Sequence, residues 1–339
     1  MTHFEDFQAF ISTPRQMVIV THHKPDADAL GSSLGLAGYL KKKGHHVQVV
    51  TPSDYPSFLH WMPGNDHVVI YEDGRKNEIN AWIDRADMIF CLDFSALNRI
   101  NNLGEWIRKS AAKKVLIDHH LEPEHFADFE QWNVKSASTA GLVYELIAAL
   151  NDLEMMDADI ANCLYAGLMT DTGNFRHNNT RREEFLIAAE LVSHGADPTR
   201  VYRLIYDTNK LERLKLTGYV LNEKLIVLPE YKTAYIVLSR DELKRFNSQT
   251  GDTEGFVNFG LSIEGIRFSV LIYENKEDVR LSFRSLGNFS VNDFARKHFE
   301  GGGHRNAAGG TSKLPLQETV NRFLSILPEY KSILASVEV

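Results

Sequence analysis

The sequence has few cysteines, no long apolar run and no basic excess, and each shortage excludes a class of protein. Cys91 and Cys163 are the 2 cysteines among 339 residues, too few to frame a fold with disulfides, so we expect reduced, buried thiols. The longest apolar runs, such as residues 88–92, fall far short of the ~20 residues that span a bilayer. The N-terminus lacks a basic-then-apolar leader, so we expect a cytoplasmic protein without a membrane partner.

The charge balance limits the class of substrate. The chain carries 37 basic and 45 acidic residues, a formal net charge of −8. Proteins that track long nucleic acids usually neutralise many phosphates with a basic surface. The acidic balance therefore argues against a long polymer, and against long duplex nucleic acid in particular. It is compatible with a small phosphate ester held in a local pocket.

Short apolar runs alternate with helical patterns through the first part of the chain. We predict strands at 16–21, 47–50, 67–70, 87–93 and 113–118. We predict helices at 29–43, 139–150, 157–170, 183–194 and 201–220. Because strands and helices alternate, the fold class is α/β, and the first domain should contain a doubly wound, mainly parallel sheet.

The last third of the chain has a different pattern. Apolar residues alternate with period two at 266–272 and 279–285, as in half-buried strands, and helical segments follow. This pattern predicts a smaller α+β domain. The predicted domains are a metal-binding catalytic domain at 1–190, a helical linker at 191–225 and a substrate-binding domain at 226–339. We expect the active site in a cleft between the two domains.

Acids and histidines follow directly on the predicted strands of the first domain. His22, Asp93 and the pair Asp118-His119 each come immediately after an apolar run, and Asp171 ends a predicted helix. Ligands bind beyond the carboxyl ends of strands in open α/β sheets. We therefore expect these side chains to converge on one edge of the sheet.

The first of these motifs has the donor types of a divalent-metal site. His22, Asp26 and Asp28 share a loop that Pro25 stiffens. A mixture of imidazole and carboxylates suits Mn²⁺ or Co²⁺ better than Mg²⁺, which prefers oxygen ligands. His23 is an alternative ligand, since spacing alone does not separate it from His22.

Two ions close together can activate a water and clamp the oxygens around a phosphorus atom. Such a centre needs a shared carboxylate, and Asp93 is the natural bridge. The first ion would take His22, Asp26 and Asp93, and the second Asp28, Asp93, His119 and Asp171. His120 would face the phosphate as a proton donor or charge stabiliser, and Asp118 would orient an imidazole. The predicted catalytic residues are thus His120, Asp93 and Asp118.

A glycine-rich stretch at residues 301–310 predicts a second functional element. Consecutive glycines let backbone N–H groups approach a ligand closely, and basic side chains nearby would add charge. The predicted substrate-binding residues are Arg284, Gly302, Gly303, His304 and Arg305. Arg280, one strand repeat from Arg284, is expected to be solvated.

Ser138 and Thr139 precede a predicted helix, where both are good N-cap residues. The N–H groups of such a helix end can also hold a phosphate. Capping alone is sufficient to explain the pair.

The order of these motifs resembles the DHH phosphoesterase family, named for the triplet that stands here as Asp118-His119-His120. The resemblance implies two Mn²⁺ per chain, with Co²⁺ or Mg²⁺ as substitutes. The implied manganese ligands are His22, Asp26, Asp28, Asp93, His119 and Asp171. The stretch at 301–310 resembles the signature of the DHH-associated C-terminal domain, which closes on substrate.

The compact two-domain layout is similar to the nano-RNase/pAp phosphatase branch of this family. That resemblance implies hydrolysis of very short oligoribonucleotides to 5′-mononucleotides and of pAp to AMP, and it also implies a homodimer. One alternative is a phosphodiesterase acting on cyclic di-AMP or its linear product pApA. Another is a catalytically silent nucleotide sensor, against which the complete set of ligand positions argues. RecJ-type exonucleases and manganese pyrophosphatases fit the sequence less well.

Overall fold

The structure is a computed structural model that describes residues 1–72 and 74–336. The chain divides into two compact units, Met1–Thr208 and Asn209–Val339. The division falls inside the segment predicted as a linker, 191–225. Within the described residues, no helix is long and apolar enough to cross a membrane.

The first unit is built around a six-stranded sheet. Its strands are β1 (Gln16–Thr21), β2 (His46–Thr51), β3 (Val69–Ile70), β4 (Met88–Leu92), β5 (Lys113–Asp118) and β6 (Phe129–Trp132). Its helices are α1 (Phe4–Phe10), α2 (Ala27–Lys42), α3 (Lys76–Arg85), α4 (Leu103–Lys109), α5 (Thr139–Ala149), α6 (Ala158–Asp171), α7 (Arg182–Ser193) and α8 (Pro198–Tyr206). Short 3₁₀ segments lie at Ser57–Leu59, Asn65–His67, Leu97–Ile100 and Leu153–Met155.

All strand pairs of this sheet are parallel, in the order β3-β2-β1-β4-β5-β6. The predicted doubly wound α/β fold is confirmed. The strand order reverses between β1 and β4, which is the point where such sheets bind ligands. Thr21 pairs with Leu92 across this point. The residues that follow, His22 and Asp93, therefore leave the sheet side by side.

Both faces of the sheet are covered, which is why its strands are nearly continuous apolar runs. Met17 and Ile19 pack in one core with residues of α2, α5 and α6, whereas Val18 and Val20 pack in another with residues of α3 and α4. The two cysteines are free and buried, as expected from the sequence. Burial raises the pKa of both thiols.

The second unit contains a mixed sheet and five helices within the described residues. Its strands are β7 (Leu225–Leu228), β8 (Thr233–Leu238), β9 (Phe268–Glu274), β10 (Val279–Ser285), β11 (Glu300–Gly303) and β12 (Ala307–Ser312), in the order β11-β12-β10-β9-β8-β7. Its helices are α9 (Leu211–Tyr219), α10 (Arg240–Arg245), α11 (Phe256–Leu261), α12 (Val291–His298) and α13 (Leu316–Ala335), with a π-helical turn at Val220–Lys224 and a 3₁₀ segment at Pro229–Tyr231. Of the strand pairs, only β8–β9 is parallel among the described residues.

Two local predictions were wrong. The helix predicted at 201–220 is two helices, α8 and α9, because the polar residues 207–210 interrupt it. In this segment the Thr208 hydroxyl donates to the Leu204 carbonyl at 2.8 Å, a side-chain bond that competes with helical backbone bonding. Strand β9 is buried on both faces rather than one. Its second face packs against α11, where the Ser269 hydroxyl donates to the Val257 carbonyl at 2.5 Å.

Candidate metal centre

His22 begins the loop after β1 and is buried. Its Nδ1 donates to the His23 carbonyl at 2.9 Å, which fixes the ring and directs Nε2 toward carboxylates. Nε2 lies 3.5 Å from Oδ2 of Asp93 and 3.9 Å from Oδ1 of Asp26. His23 belongs to none of the clustered donor groups among residues 1–72 and 74–336, and its Nδ1 lies 3.1 Å from Nδ2 of Asn101. The geometry thus favours His22 over His23 as a ligand.

Asp93 lies between two imidazoles. Its Oδ2 faces Nε2 of His22, and its Oδ1 lies 3.3 Å from Nε2 of His119. The residue is buried and has a left-handed backbone, with φ of +64°. That conformation costs most L-residues about 1–2 kcal/mol, although Asp and Asn tolerate it better. A carboxylate whose two oxygens face different donor groups has the arrangement that a bridging ligand needs.

A second group of donors surrounds His119. Its Nε2 lies 3.3 Å from Oδ2 of Asp171 and 3.8 Å from Oδ2 of Asp28, and its Nδ1 donates to the Ser136 carbonyl at 3.2 Å. Asp28 lies in the first turn of α2, and Asp171 is the last residue of α6. Strand β5 and two helix ends thus bring these donors together.

Asp26 also has a structural role that the sequence analysis did not assign to it. It is the N-cap of α2, where its Oδ1 accepts from the backbone N–H groups of Asp28 and Ala29, both at 3.0 Å. Its side chain is 51% exposed, far more than the other acids of the cluster. Capping holds the carboxylate beside His22.

Asp118 and His120 form a hydrogen-bonded pair next to these donors. Oδ1 of Asp118 accepts from Nδ1 of His120 at 2.8 Å, and Asp118 is fully buried. This bond directs Nε2 of His120 away from Asp118. The arrangement is that of an imidazole oriented by a carboxylate.

The donor set fits divalent cations. Two groups, His22 with Asp26 and Asp93, and Asp28 with His119 and Asp171, each bring their ligand atoms within 4.8 Å of one another. Burial would lower the pKa of His22, but the hydrogen bond to Asp93 and the charge of Asp26 raise it to about 9. Burial and the charges of Asp93 and Asp171 raise the pKa of Asp28 well above its usual value. These shifts mark a buried site that favours added positive charge, which metal ions would supply.

The glycine-rich stretch at residues 301–310 forms a β-hairpin in the second unit. Gly302 and Gly303 lie in β11, and His304 and Arg305 lie in the turn that leads to β12. Gly303 has φ of +149°, and a Cβ there would lie 2.6 Å from the Ala307 carbonyl oxygen. Gly303 is thus needed for close strand pairing, and its N–H donates to Oδ1 of Asn292 at 2.9 Å.

Arg284 lies at the same end of the sheet as this turn. It is the register partner of Ala307, the first residue after the turn, and Arg305 donates from Nη2 to the Asn288 carbonyl at 3.1 Å. The predicted substrate-binding residues Arg284, Gly302, Gly303, His304 and Arg305 therefore lie near one another in the second unit. Arg280 is paired with Asp278, its Nε lying 3.0 Å from Oδ1.

Thr139 is a residue of the site whose role the sequence analysis missed. Ser138 is the N-cap of α5, since its Oγ accepts from the Gly141 N–H at 3.0 Å. The Thr139 hydroxyl instead donates to Oδ1 of Asp93 at 2.9 Å, and its N–H donates to Oδ2 of Asp28 at 2.7 Å. The sequence contains one signal of this role: two adjacent hydroxyl residues, Ser138 and Thr139, precede a helix that needs only one of them as its cap.

Comparison with known proteins identifies the family. Residues 16–168 match the DHH family, N-terminal domain, and residues 231–332 match the DHHA1 domain. The bifunctional oligoribonuclease and PAP phosphatase NrnA of Thermus thermophilus is 30% identical over 92% of this chain and 89% of its own length. The chain belongs to the DHH family.

Two other similarities extend over most of the molecule. The bifunctional oligoribonuclease and PAP phosphatase NrnA of Bacillus subtilis is 28% identical over 89% of this chain and 90% of its own length. A crystal structure of an exopolyphosphatase-related protein from Bacteroides fragilis superposes with a TM-score of 0.93 at 39% identity and covers 98% of both chains. In this DHH protein, the clustered Asp and His side chains of the first unit are the candidate metal site.

Proposed function

We propose that this protein hydrolyses short oligoribonucleotides to 5′-mononucleotides and pAp to AMP, with two Mn²⁺ per chain. The observation that carries the proposal is the position of Asp93, whose two oxygens face His22 and His119. The two relatives described as oligoribonuclease and PAP phosphatase, which align with 89% and 92% of this chain, support the substrate class.

The proposed ligands of one ion are His22, Asp26 and Asp93, and those of the other are Asp28, Asp93, His119 and Asp171. Two such ions would lower the pKa of a water and stabilise the oxygens of an in-line displacement at phosphorus. The mixed imidazole and carboxylate donors favour Mn²⁺, and Co²⁺ or Mg²⁺ would be substitutes.

His120 is the proposed proton donor, or charge stabiliser, for the leaving oxygen. Its bond to Asp118 keeps a proton on Nδ1 and leaves Nε2 on the opposite side of the ring. Protonation at Nε2 would then supply a proton on the side of the ring opposite to Asp118. Asp118 thus acts through His120 and does not itself contact substrate.

The second domain is proposed at 226–339, after a linker at 191–225. We propose that it binds a phosphate or the terminal nucleotide of the substrate. Arg284 and Arg305 supply charge. Arg305 lies with His304 in the turn between β11 and β12, and Arg284 is the register partner of Ala307, the first residue after that turn. The acidic balance of the chain, 37 basic against 45 acidic residues, supports a short substrate rather than a long strand.

The test is Mn²⁺-supported turnover of a matched panel: pAp, pApA, an RNA of a few nucleotides, a much longer RNA, cyclic di-AMP and pyrophosphate. We expect release of mononucleotides from pAp and the short RNA, with the long RNA slow. A clear preference for cyclic di-AMP would assign the protein to second-messenger turnover. Nucleotide binding without turnover of any substrate would identify a sensor. Asp93→Asn, which removes the proposed bridge, is the control for contaminating activity.

A further inference from the structure

The N-terminus of α5 holds the carboxylates of two candidate metal ligands, Asp28 and Asp93, through contacts that are separate from its Ser138 side-chain cap. Thr139 is fully buried, and Ser138 already supplies the cap. The hydroxyl of Thr139 is not used for capping, and it donates a hydrogen bond to the carboxylate of Asp93.

We propose that Thr139 is a positioning residue that fixes the carboxylates of Asp28 and Asp93 for metal binding. The inference rests on the proposed metal centre and adds a residue that does not itself contact the ions. It assigns separate tasks to the hydroxyl and the backbone of Thr139.

The backbone of α5 orients Asp28. Oδ2 of Asp28 accepts from the Thr139 N–H at 2.7 Å, and Oδ1 accepts from the Ala140 N–H at 2.9 Å. With one N–H on each oxygen, the plane of the carboxylate is fixed, and one lone pair of each oxygen is left for other partners. The positive end of the 11-residue helix also stabilises the negative charge of Asp28.

The hydroxyl of Thr139 orients Asp93. It donates to Oδ1 of Asp93 at 2.9 Å, on the oxygen that also faces Nε2 of His119 at 3.3 Å. Holding Oδ1 in this direction keeps Oδ2 turned toward His22. Because Asp93 is the proposed bridge, a small rotation of its carboxylate would weaken both metal positions.

The test compares Mn²⁺ binding by three variants in the absence of substrate. Thr139→Val keeps the backbone N–H and the shape of the side chain but lacks the hydroxyl. Thr139→Ser restores the hydroxyl. Ser138→Ala removes the helix cap without touching either carboxylate, and so controls for destabilisation of α5. Affinities come from calorimetric titration and from the Mn²⁺ paramagnetic resonance signal, with melting temperatures of the metal-free proteins in parallel.

We expect Thr139→Val to weaken Mn²⁺ binding by about 10-fold to 100-fold, the usual effect of losing a partner of a metal ligand. Thr139→Ser should recover most of the affinity, and Ser138→Ala should lower the melting temperature with a much smaller loss of binding. Wild-type affinity in Thr139→Val would overturn the proposal. Equal losses in Thr139→Val and Ser138→Ala would also overturn it, because helix stability would then explain both.

These binding data separate this inference from the proposed function. If the wild type binds Mn²⁺ but hydrolyses none of the nucleotide substrates, the proposed reaction is wrong while the role of Thr139 is still measured. If the wild type does not bind Mn²⁺, both are wrong.

Discussion

The carboxylate of Asp118 accepts a hydrogen bond from Nδ1 of His120 at 2.8 Å, directly beside the candidate metal ligands. Asp118 is fully buried, and the two residues belong to the same Asp-His-His triplet, so one short segment supplies both an imidazole and the group that orients it. The third member, His119, instead directs its Nε2 to Asp171, another candidate metal ligand, at 3.3 Å from Oδ2.

The first prediction concerns this pair. Asp118→Asn keeps the volume but allows the amide to select the other tautomer of His120, so kcat should fall by about 100-fold to 10,000-fold, as when a triad carboxylate is replaced. Mn²⁺ affinity should change little. In a His120→Ala background the Asp118 substitution should have almost no further effect, because it acts through the imidazole. Additive losses in the double variant would show that Asp118 has an independent role.

The second prediction concerns the backbone of Asp93. Both Asp93→Asn and Asp93→Ala should abolish measurable turnover and weaken Mn²⁺ binding, since each removes the charge. They should differ in stability, because Asn tolerates the left-handed φ of +64° better than Ala. Urea unfolding of the metal-free proteins should therefore show Asp93→Ala less stable than Asp93→Asn by about 1 kcal/mol. Equal stabilities would indicate that the turn relaxes in the variants.

The position of the site followed from the sequence for a simple physical reason. In a parallel sheet all carboxyl ends lie at one edge, so His22, Asp93 and His119 had to converge once their strands were predicted. Asp171 was expected near them because a predicted helix ends there, and α6 does end at Asp171. The predicted ends of strands and helices thus indicate which residues, distant in the chain, lie together in the fold.

Other features depended on tertiary contacts that no local pattern contains. Strand β6 was missed because it is a four-residue edge strand, Phe129–Trp132, with two polar residues in its middle. The second face of β9 is buried only because α11 covers it. Thr139 looked like a cap because its acceptor, Asp93, is 46 residues away in the chain. Each of these needed the fold before it could be recognised.

The third prediction concerns the space around Asp28. A Cβ at Gly167, on α6, would lie 2.6 Å from Oδ1 of Asp28 and 2.7 Å from Cβ of Ala140. Gly167→Ala should therefore push the carboxylate from its place, lower the melting temperature and weaken Mn²⁺ binding. Gly218→Ala is the matched control, since nothing lies within 4 Å of its added Cβ and its helix is exposed there. That change should stabilise the protein by up to about 1 kcal/mol, and wild-type Mn²⁺ affinity in Gly167→Ala would contradict the prediction.

The last prediction concerns acid stability of the second unit. Burial would raise the pKa of Glu242, but hydrogen bonds from Lys224, Tyr219 and Ser239 lower it to about 2. A carboxylate with a folded-state pKa below its ordinary value of 4.5 stabilises the fold above that value, and the stabilisation is lost as the pH falls toward about 2.

Glu242→Gln should therefore be less stable than the wild type at neutral pH, and the difference should shrink as the pH falls below 4.5. Urea unfolding at a series of pH values, monitored through a probe in the second unit, measures this difference in stability directly. Lys244, which is 62% exposed in its pair with Asp241, provides the control: Lys244→Gln should change stability little at any pH because exposed ion pairs contribute little. A constant difference between Glu242→Gln and the wild type across the acid range would mean that hydrogen bonding, and not ionisation of Glu242, stabilises this corner of the fold.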